Sequence, residues 1–325
     1  MASIVPVFVP HAGCPCRCVF CNQRTIAGQQ AQMTPEKARH ILTQALSVLP
    51  EGSAPQAAFY GGSFTAIPVD EQEALLEVTD SFLHTGQLSS VRLSTRPDAI
   101  DIPTLERLRR HGVSVIELGA QSMDNEVLRR AARGHTAEDT VRASRLVRAA
   151  GFSLVLQTMA GLPGDTRETV CRTAQRIAAL QPDGVRIYPV AVLPDTELYD
   201  LWRAGAYTPL DVDTAAVWCA DMLDVFRRAN IPVLRIGLNP TEELSCTVAA
   251  GAYHPAMGEL VWNELWYRRL RARLERQKDG ILMVPARELS RAIGQKRRNV
   301  LRLQREFPER DIRICAEKQE DESWT

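Results

Sequence analysis

Over the first 236 residues, short apolar runs rich in β-branched residues alternate with longer stretches whose apolar positions recur every three to four residues. The short runs predict strands at Ile4–Val9, Gln56–Tyr60, Val91–Ser94, Val115–Gly119, Ser153–Met159, Gly184–Pro189 and, more weakly, Val233–Ile236. The stretches between them predict helices. Thr34-Pro35-Glu36 opens one, with a capping hydroxyl, a proline in the first turn and an acid behind it. Asp70, Asp124 and Thr166 are placed to open others. Strands recur roughly every 25 to 50 residues, the period of β/α units and a parallel sheet. A closed eight-unit barrel takes about 250 residues. Six clear units and a weak seventh strand instead predict an α/β fold built on a partial (β/α)6 TIM-like barrel. A doubly wound sheet is the alternative that periodicity leaves open.

The pattern changes after residue 236. Residues 237–279 form a connecting segment: a run of small residues from Cys246 to Met257, then a basic helical stretch from Leu260 to Gln277. Residues 280–325 read as a small basic appendage with an acidic tail. Its order is a strand (Ile281–Val284), a helix (Arg287–Ile293), the loop Gly294-Gln295-Lys296-Arg297, a helix (Asn299–Phe307) and a strand (Asp311–Cys315). Such a short βααβ piece cannot bury enough surface to fold unaided and is expected to pack on the barrel.

Charge adds a local picture. Lys plus Arg equals Asp plus Glu at 39 each, so bulk charge points to no polyanionic or membrane partner. Between Trp262 and Arg313, however, 15 basic residues face 7 acidic ones, an excess of 15 − 7 = 8. No apolar run approaches the roughly 18 residues of a membrane span. The start, MASIVPVFVPHAGC, has no basic segment and carries Pro6 and Pro10 within its apolar stretch, so it does not read as a secretory signal.

Eight cysteines are few for a secreted scaffold, and four crowd between positions 14 and 21 in HAGCPCRCVFCNQ, which suggests metal ligation in a reducing cytoplasm. Cys14, Cys18 and Cys21 form C-x3-C-x2-C directly after the first strand. Three thiolates so spaced can hold three irons of a 4Fe–4S cube and leave the fourth open to another ligand. A structural zinc would need a fourth donor, from Cys16 or His11. Cys171, Cys219 and Cys315 fall in predicted helix or strand and read as buried thiols; Cys246 has no assigned place. His254 reads as a turn residue bonded to backbone, or else as a group that closes over the site.

C-x3-C-x2-C after the first strand, with the aromatic Phe20 before the last cysteine, resembles the radical S-adenosylmethionine (SAM) enzymes. The resemblance runs over residues 4–236. It implies a 4Fe–4S cluster on Cys14, Cys18 and Cys21, whose open iron takes the amino and carboxylate groups of SAM. One electron then splits SAM into methionine and a 5′-deoxyadenosyl radical. Tyr60-Gly61-Gly62-Ser63-Phe64-Thr65 matches the family's GG stretch, which implies that Gly61, Gly62 and Ser63 hold the SAM amino group. In Ser94-Thr95-Arg96-Pro97-Asp98, Ser94 stands where relatives commonly carry a ribose-binding Glu. Glu117-Leu118-Gly119-Ala120-Gln121-Ser122 with Arg133-Gly134-His135-Thr136 is similar to the signature of the Elongator catalytic subunit, and implies SAM contacts from Gln121 and Arg133. Glu117 is expected to pair with an arginine inside the barrel. Gln157 shares a strand face with Ser153, Val155 and Met159 and falls where some relatives bind the ribose. All these stretches end predicted strands, the end of a barrel that carries the chemistry.

The resemblance implies a cytoplasmic enzyme of the Elongator-like or coproporphyrinogen-dehydrogenase-like branch, an electron donor such as flavodoxin or ferredoxin, no membrane, and tRNA or another RNA as substrate. The alternatives are a radical SAM enzyme acting on a tetrapyrrole-like small molecule, and a zinc-bearing RNA-binding protein without activity. Only 89 residues follow Ile236 and no acetyl-CoA-type glycine loop is visible, so acetyl transfer is not expected. The appendage resembles a KH core, which clamps nucleotides on a GxxG loop. Here Arg297 replaces the second glycine, where it either blocks close backbone approach or supplies a phosphate contact.

Overall fold

The computed structural model describes residues 3–9, 14, 17–22, 33–50 and 52–317. Cys16, His11 and the tail beyond Glu317 lie outside the described residues. The frame is a sheet of seven parallel strands: β1 (Ile4–Val9), β2 (Gln56–Gly61), β3 (Ser90–Thr95), β4 (Val113–Gln121), β5 (Ser153–Ala160), β6 (Gly184–Pro189) and, last in the sheet, β8 (Val233–Ile236). A two-residue strand, β7 (Ala191–Val192), comes between the last two in the chain and lies outside the sheet. Neighbours in the sheet follow chain order throughout. A doubly wound sheet reverses its order at a switch point; this one never does, so the partial barrel stands.

The helices are α1 (Pro35–Ser47), α2 (Val69–His84), α3 (Ile102–Arg110), α4 (Asn125–Arg130), α5 (Ala137–Ala149), α6 (Arg167–Ala178), α7 (Glu197–Arg203) and α8 (Val212–Arg228). Short polar side chains start most of them by accepting from first-turn amides that have no partner within the helix. Thr34 accepts from Lys37 N, Asp124 from Glu126 N and Val127 N, and Thr166 from Thr169 N. Asp70 is the exception. Helix α2 begins at Val69 after Pro68, so Asp70 sits in the first turn. There its charge favours the helix dipole instead of capping.

The core lies between strands and helices. Val5, Val7, Phe59, Leu93, Ile116, Leu154 and Ile187 are all buried in it. Beyond β8 come α9 (Glu242–Thr247), the two-residue β9 (Ala250–Gly251) and α10 (Met257–Leu274), three residues earlier at each end than the sequence pattern places it. β9 pairs antiparallel with β7, a pairing that sequence reading missed. Gly251 permits it: φ is +90°, and a Cβ would stand 2.8 Å from Val190 O.

The C-terminal unit is β10 (Ile281–Val284), a single 3-10 turn and α11 (Leu289–Ile293), a second such turn at Gln295–Arg297, α12 (Arg298–Glu306) and β11 (Arg313–Ala316). Its two strands pair in parallel. It shares a second apolar core with α10, in which Trp266, Tyr267 and Leu270 meet Leu282, Val300, Leu303 and Ile314. Arginines clamp the seam: Arg302 lies 3.5 Å from the Tyr267 ring centroid, and Arg227 and Arg291 both lie over Trp262, at 5.0 and 4.8 Å. Of the expected buried thiols, Cys219 is buried, while Cys171 and Cys315 are half-buried because each sits toward the outer side of its element.

Candidate active site

The carboxyl ends of the strands open into a cavity of about 1200 Å³. Cys14, Cys18 and Cys21 line it from the loop after β1. Two apolar residues of that loop hold it down. Val19 is buried among Val127, Ala131, Leu162 and Leu198, with Phe20 packed against the same cluster. Val19 N donates to Ala131 O, and Val19 O accepts from Leu198 N at 2.7 Å. Asn22 Nδ2 donates to Pro194 O at 3.0 Å. Cys21 N closes a turn onto Cys18 O.

Phe20, Gly61, Gly62, Ser94, Gln121, Arg133 and Gln157, all chosen from sequence, line the same cavity. Ser63 does not. Its side chain is fully buried, shares a hydrogen bond with Thr95 Oγ1 and accepts from Arg96 N. It therefore ties the end of β2 to the end of β3, and only its backbone N–H reaches the Cys14 thiol.

Arg133 is the most connected of these groups. Nη2 donates to Gly119 O at 2.8 Å and Nη1 to Cys18 Sγ at 3.3 Å. A Cβ on Gly119 would stand 2.7 Å from that guanidinium, so any larger residue would push the Arg133 side chain aside. The carbonyl of Arg133 accepts from Arg96, whose guanidinium also grips Asp98 through two bonds. Beside it, burial and the Arg133 charge depress His135 to about 4, so the imidazole is neutral at physiological pH. Burial likewise pushes the Cys14 thiol up, against the pull of the nearby Arg133.

Beneath the cavity lies the partner expected for Glu117. This fully buried carboxylate pairs with Arg92 at 2.6 Å and Arg186 at 2.9 Å, and accepts from Tyr60 Oη at 2.8 Å. Gln157 Nε2 donates to it at 3.0 Å. That bond fixes the amide, leaving Gln157 Oε1 as the acceptor on its other side. Burial, then the Glu117 charge, raises the Tyr60 phenol and keeps it protonated.

Sequence reading missed several lining residues: Arg17, Thr95, Arg96 and the acids Asp195, Glu197 and Asp200. Asp195 has φ +59° in the turn ahead of α7, within the run LPDTELYD that follows β6. His254 lines a different cavity, and its Nδ1 accepts from Ala256 N, which is the turn role.

The residues fit a thiolate-bound cluster and a zwitterionic nucleoside ligand. Three soft donors face a chamber somewhat larger than a typical small-ligand pocket of about 300–1000 Å³. Two buried polar atoms on its wall, Gln121 Oε1 and Arg133 Nε, have no hydrogen-bond partner. Among the described residues no three metal-ligating side chains are gathered at one point; the thiols share a wall.

Residues 8–177 match the model of the Radical SAM superfamily, and 182–267 that of the Radical_SAM C-terminal domain. A tRNA uridine(34) acetyltransferase from Methanocaldococcus jannaschii is 36% identical over 169 residues, 46% of this chain and 31% of that protein. The structure of the archaeal Methanocaldococcus infernus Elp3 with an N-terminal deletion aligns with TM-score 0.64 at 21% identity, over 84% of this chain and 63% of that one. Coproporphyrinogen III oxidase (HemN) from Escherichia coli aligns with TM-score 0.52 at 19% identity, over 70% and 52% of the two chains. This chain spans less than two thirds of the length of each. The family match, over more than half of the chain, agrees with the cysteine-lined barrel mouth and sets the zinc reading aside: the chain belongs to the radical SAM superfamily, whose cofactors are a 4Fe–4S cluster and S-adenosylmethionine.

Proposed function

We propose that the protein is a cytoplasmic radical SAM enzyme that modifies an RNA, with tRNA as the first substrate class. The observation that carries the reading is the single cavity of about 1200 Å³ shared by three cysteines, the two glycines at the end of β2 and the unpartnered polar atoms of Gln121 and Arg133. It has room for SAM and for part of a substrate. The RNA assignment is supported by the resemblance to tRNA-modifying relatives and by the basic C-terminal unit.

When bound, the cluster and SAM supply one-electron reductive cleavage and, through it, abstraction of a hydrogen atom. Cys14, Cys18 and Cys21 would hold the cluster. Gly61 and Gly62 would offer backbone to the SAM ammonium, and the Arg133 guanidinium would offer charge to its carboxylate. Ser94 and the Gln157 amide, oriented by Glu117, would serve its ribose hydroxyls, with Gln121 and Phe20 completing the wall. Val19, Leu162 and Leu198 seal the underside of the cysteine loop from water. Electrons would come from a flavodoxin- or ferredoxin-type donor.

The test is anaerobic reconstitution with iron and sulfide, followed by dithionite, SAM and bulk tRNA. 5′-Deoxyadenosine and tRNA nucleosides are then read by mass spectrometry. The expected result is SAM cleavage lost in Cys18→Ala, with a tRNA-dependent new nucleoside mass. Cleavage stimulated by a tetrapyrrole and indifferent to tRNA would overturn the substrate.

A further inference from the structure

Where the C-terminal unit sits on α10, it leaves a second cavity of about 620 Å³, distinct from the cysteine-lined one. One wall is α12. Arg298, Leu301, Arg302 and Arg305 line it at the three- and four-residue steps of a single helix face. The opposite face of that helix, with Asn299, Val300 and Leu303, is buried. The other wall is the start of α8, at Val212 and Asp213, with His254 in the turn before α10 and Leu260 in its first turn.

Topology fixes where this groove opens. Helix α8 returns the chain from β6 to the parallel β8, so it starts at the edge where β6 ends. Helix α10 starts where β8 ends: a Cβ on Gly237 would come within 2.9 Å of Met257 Cβ. The groove therefore lies on the rim of the same barrel end that holds the cysteine-lined cavity.

Its charges fall into two sets. Arg298 pairs with Asp213 at 2.7 Å, and Arg302 pairs with Glu264 at 2.6 Å, so these two build the wall. Lys296, in the groove, and Arg305 are exposed and make no ion pair among the described residues, and neither does the exposed Arg297 beside them. Between these cations Leu301 is 53% exposed. Unneutralised cations around an apolar side chain, in a groove rather than on a convex surface, suit a chain of phosphates carrying flat apolar groups better than an acidic peptide, which offers charge without the flat groups.

We propose that this groove binds a single-stranded segment of RNA, with phosphates against Lys296, Arg297 and Arg305 and a base against Leu301, and leads the strand toward the cysteine-lined cavity. The proposal rests on the RNA reading above and names the site that grips it.

The probe is a fluorescein-labelled 12-nucleotide RNA of mixed sequence, titrated by anisotropy with the full chain at several salt concentrations. Replacing Lys296, Arg297 and Arg305 together by Glu is expected to weaken binding at least tenfold in low salt. It should also flatten the salt dependence by about 0.7 in log–log slope for each phosphate that is no longer neutralised. Leu301→Ala is expected to weaken binding several-fold with the slope unchanged. SAM cleavage without RNA stays at its wild-type rate in all of these variants. A charge-reversal control away from the groove, Arg142→Glu with Arg145→Glu on α5, keeps wild-type RNA affinity. RNA bound by the wild type and equally by the triple variant would overturn the groove and leave the RNA reading standing. No RNA binding by the wild type in 50 mM salt, alongside active SAM cleavage, would overturn both. Polyglutamate displacing the RNA at equal charge concentration would overturn the choice of partner in favour of an acidic protein.

Discussion

The barrel interior and the seam beneath the C-terminal unit both rely on arginine, and they use it in opposite ways. Inside the barrel, Arg92 and Arg186 converge on one fully buried carboxylate, with Tyr60 and Gln157 filling its remaining lone pairs. At the seam, Arg298 meets the exposed Asp213, the partly exposed Arg302 reaches down to the buried Glu264, and Arg227, Arg291 and Arg302 lie over aromatic faces. The first arrangement is all-or-none, since each member depends on the others to offset desolvation. The second is a sum of small, replaceable interactions. A buried network of this kind fixes the position of a wall residue such as Gln157; a surface clamp leaves cations over for a partner.

Substitution can break this contrast, beginning with the cysteine loop above the network. Cys18→Ala is expected to abolish the reconstituted iron–sulfur absorption altogether, whereas Cys16→Ala retains it; loss in both would overturn the ligand assignment. Glu117→Gln leaves two buried guanidinium groups short of their counter-charge and is expected to cost about 3–5 kcal/mol, read as a shift in denaturant midpoint. His135 contributes in a defined pH window. Its folded value of about 4 lies below the unfolded value near 6.5. The unfolded chain therefore binds the proton first as pH falls. The contribution is complete above pH 6.5 and is lost on descent through pH 4, at most about 3 kcal/mol. His135→Gln should remove that part of the pH dependence of the melting temperature. Smallest is Asp213→Asn, which breaks an exposed pair and should cost under about 1 kcal/mol. By releasing Arg298 into the groove, it should steepen the salt dependence of RNA binding. A Glu117 cost no larger than that of Asp213 would dissolve the comparison.

The sequence was most informative where chemistry and backbone conformation coincide. Cys14, Cys18 and Cys21, the glycines at the end of β2 and the polar ends of β4 and β5 could be placed because each ends or follows a strand whose apolar run is clear. Ser63 could not, because a motif locates a residue without saying which way its hydroxyl turns, and Thr95 captured it. The acids Asp195, Glu197 and Asp200 stayed hidden because a carboxylate near the start of a short helix reads as a capping or dipole group. The β7–β9 pair, two residues on each side, is too short to leave any periodicity.

The anchoring of Val19 has a consequence for cluster loading. The burial of Val19 and its backbone bonds to Ala131 and Leu198 come from protein atoms alone. These contacts would hold the middle of the cysteine loop on the barrel whether or not a cluster is bound. Loading the cluster would then fill a socket rather than refold a segment.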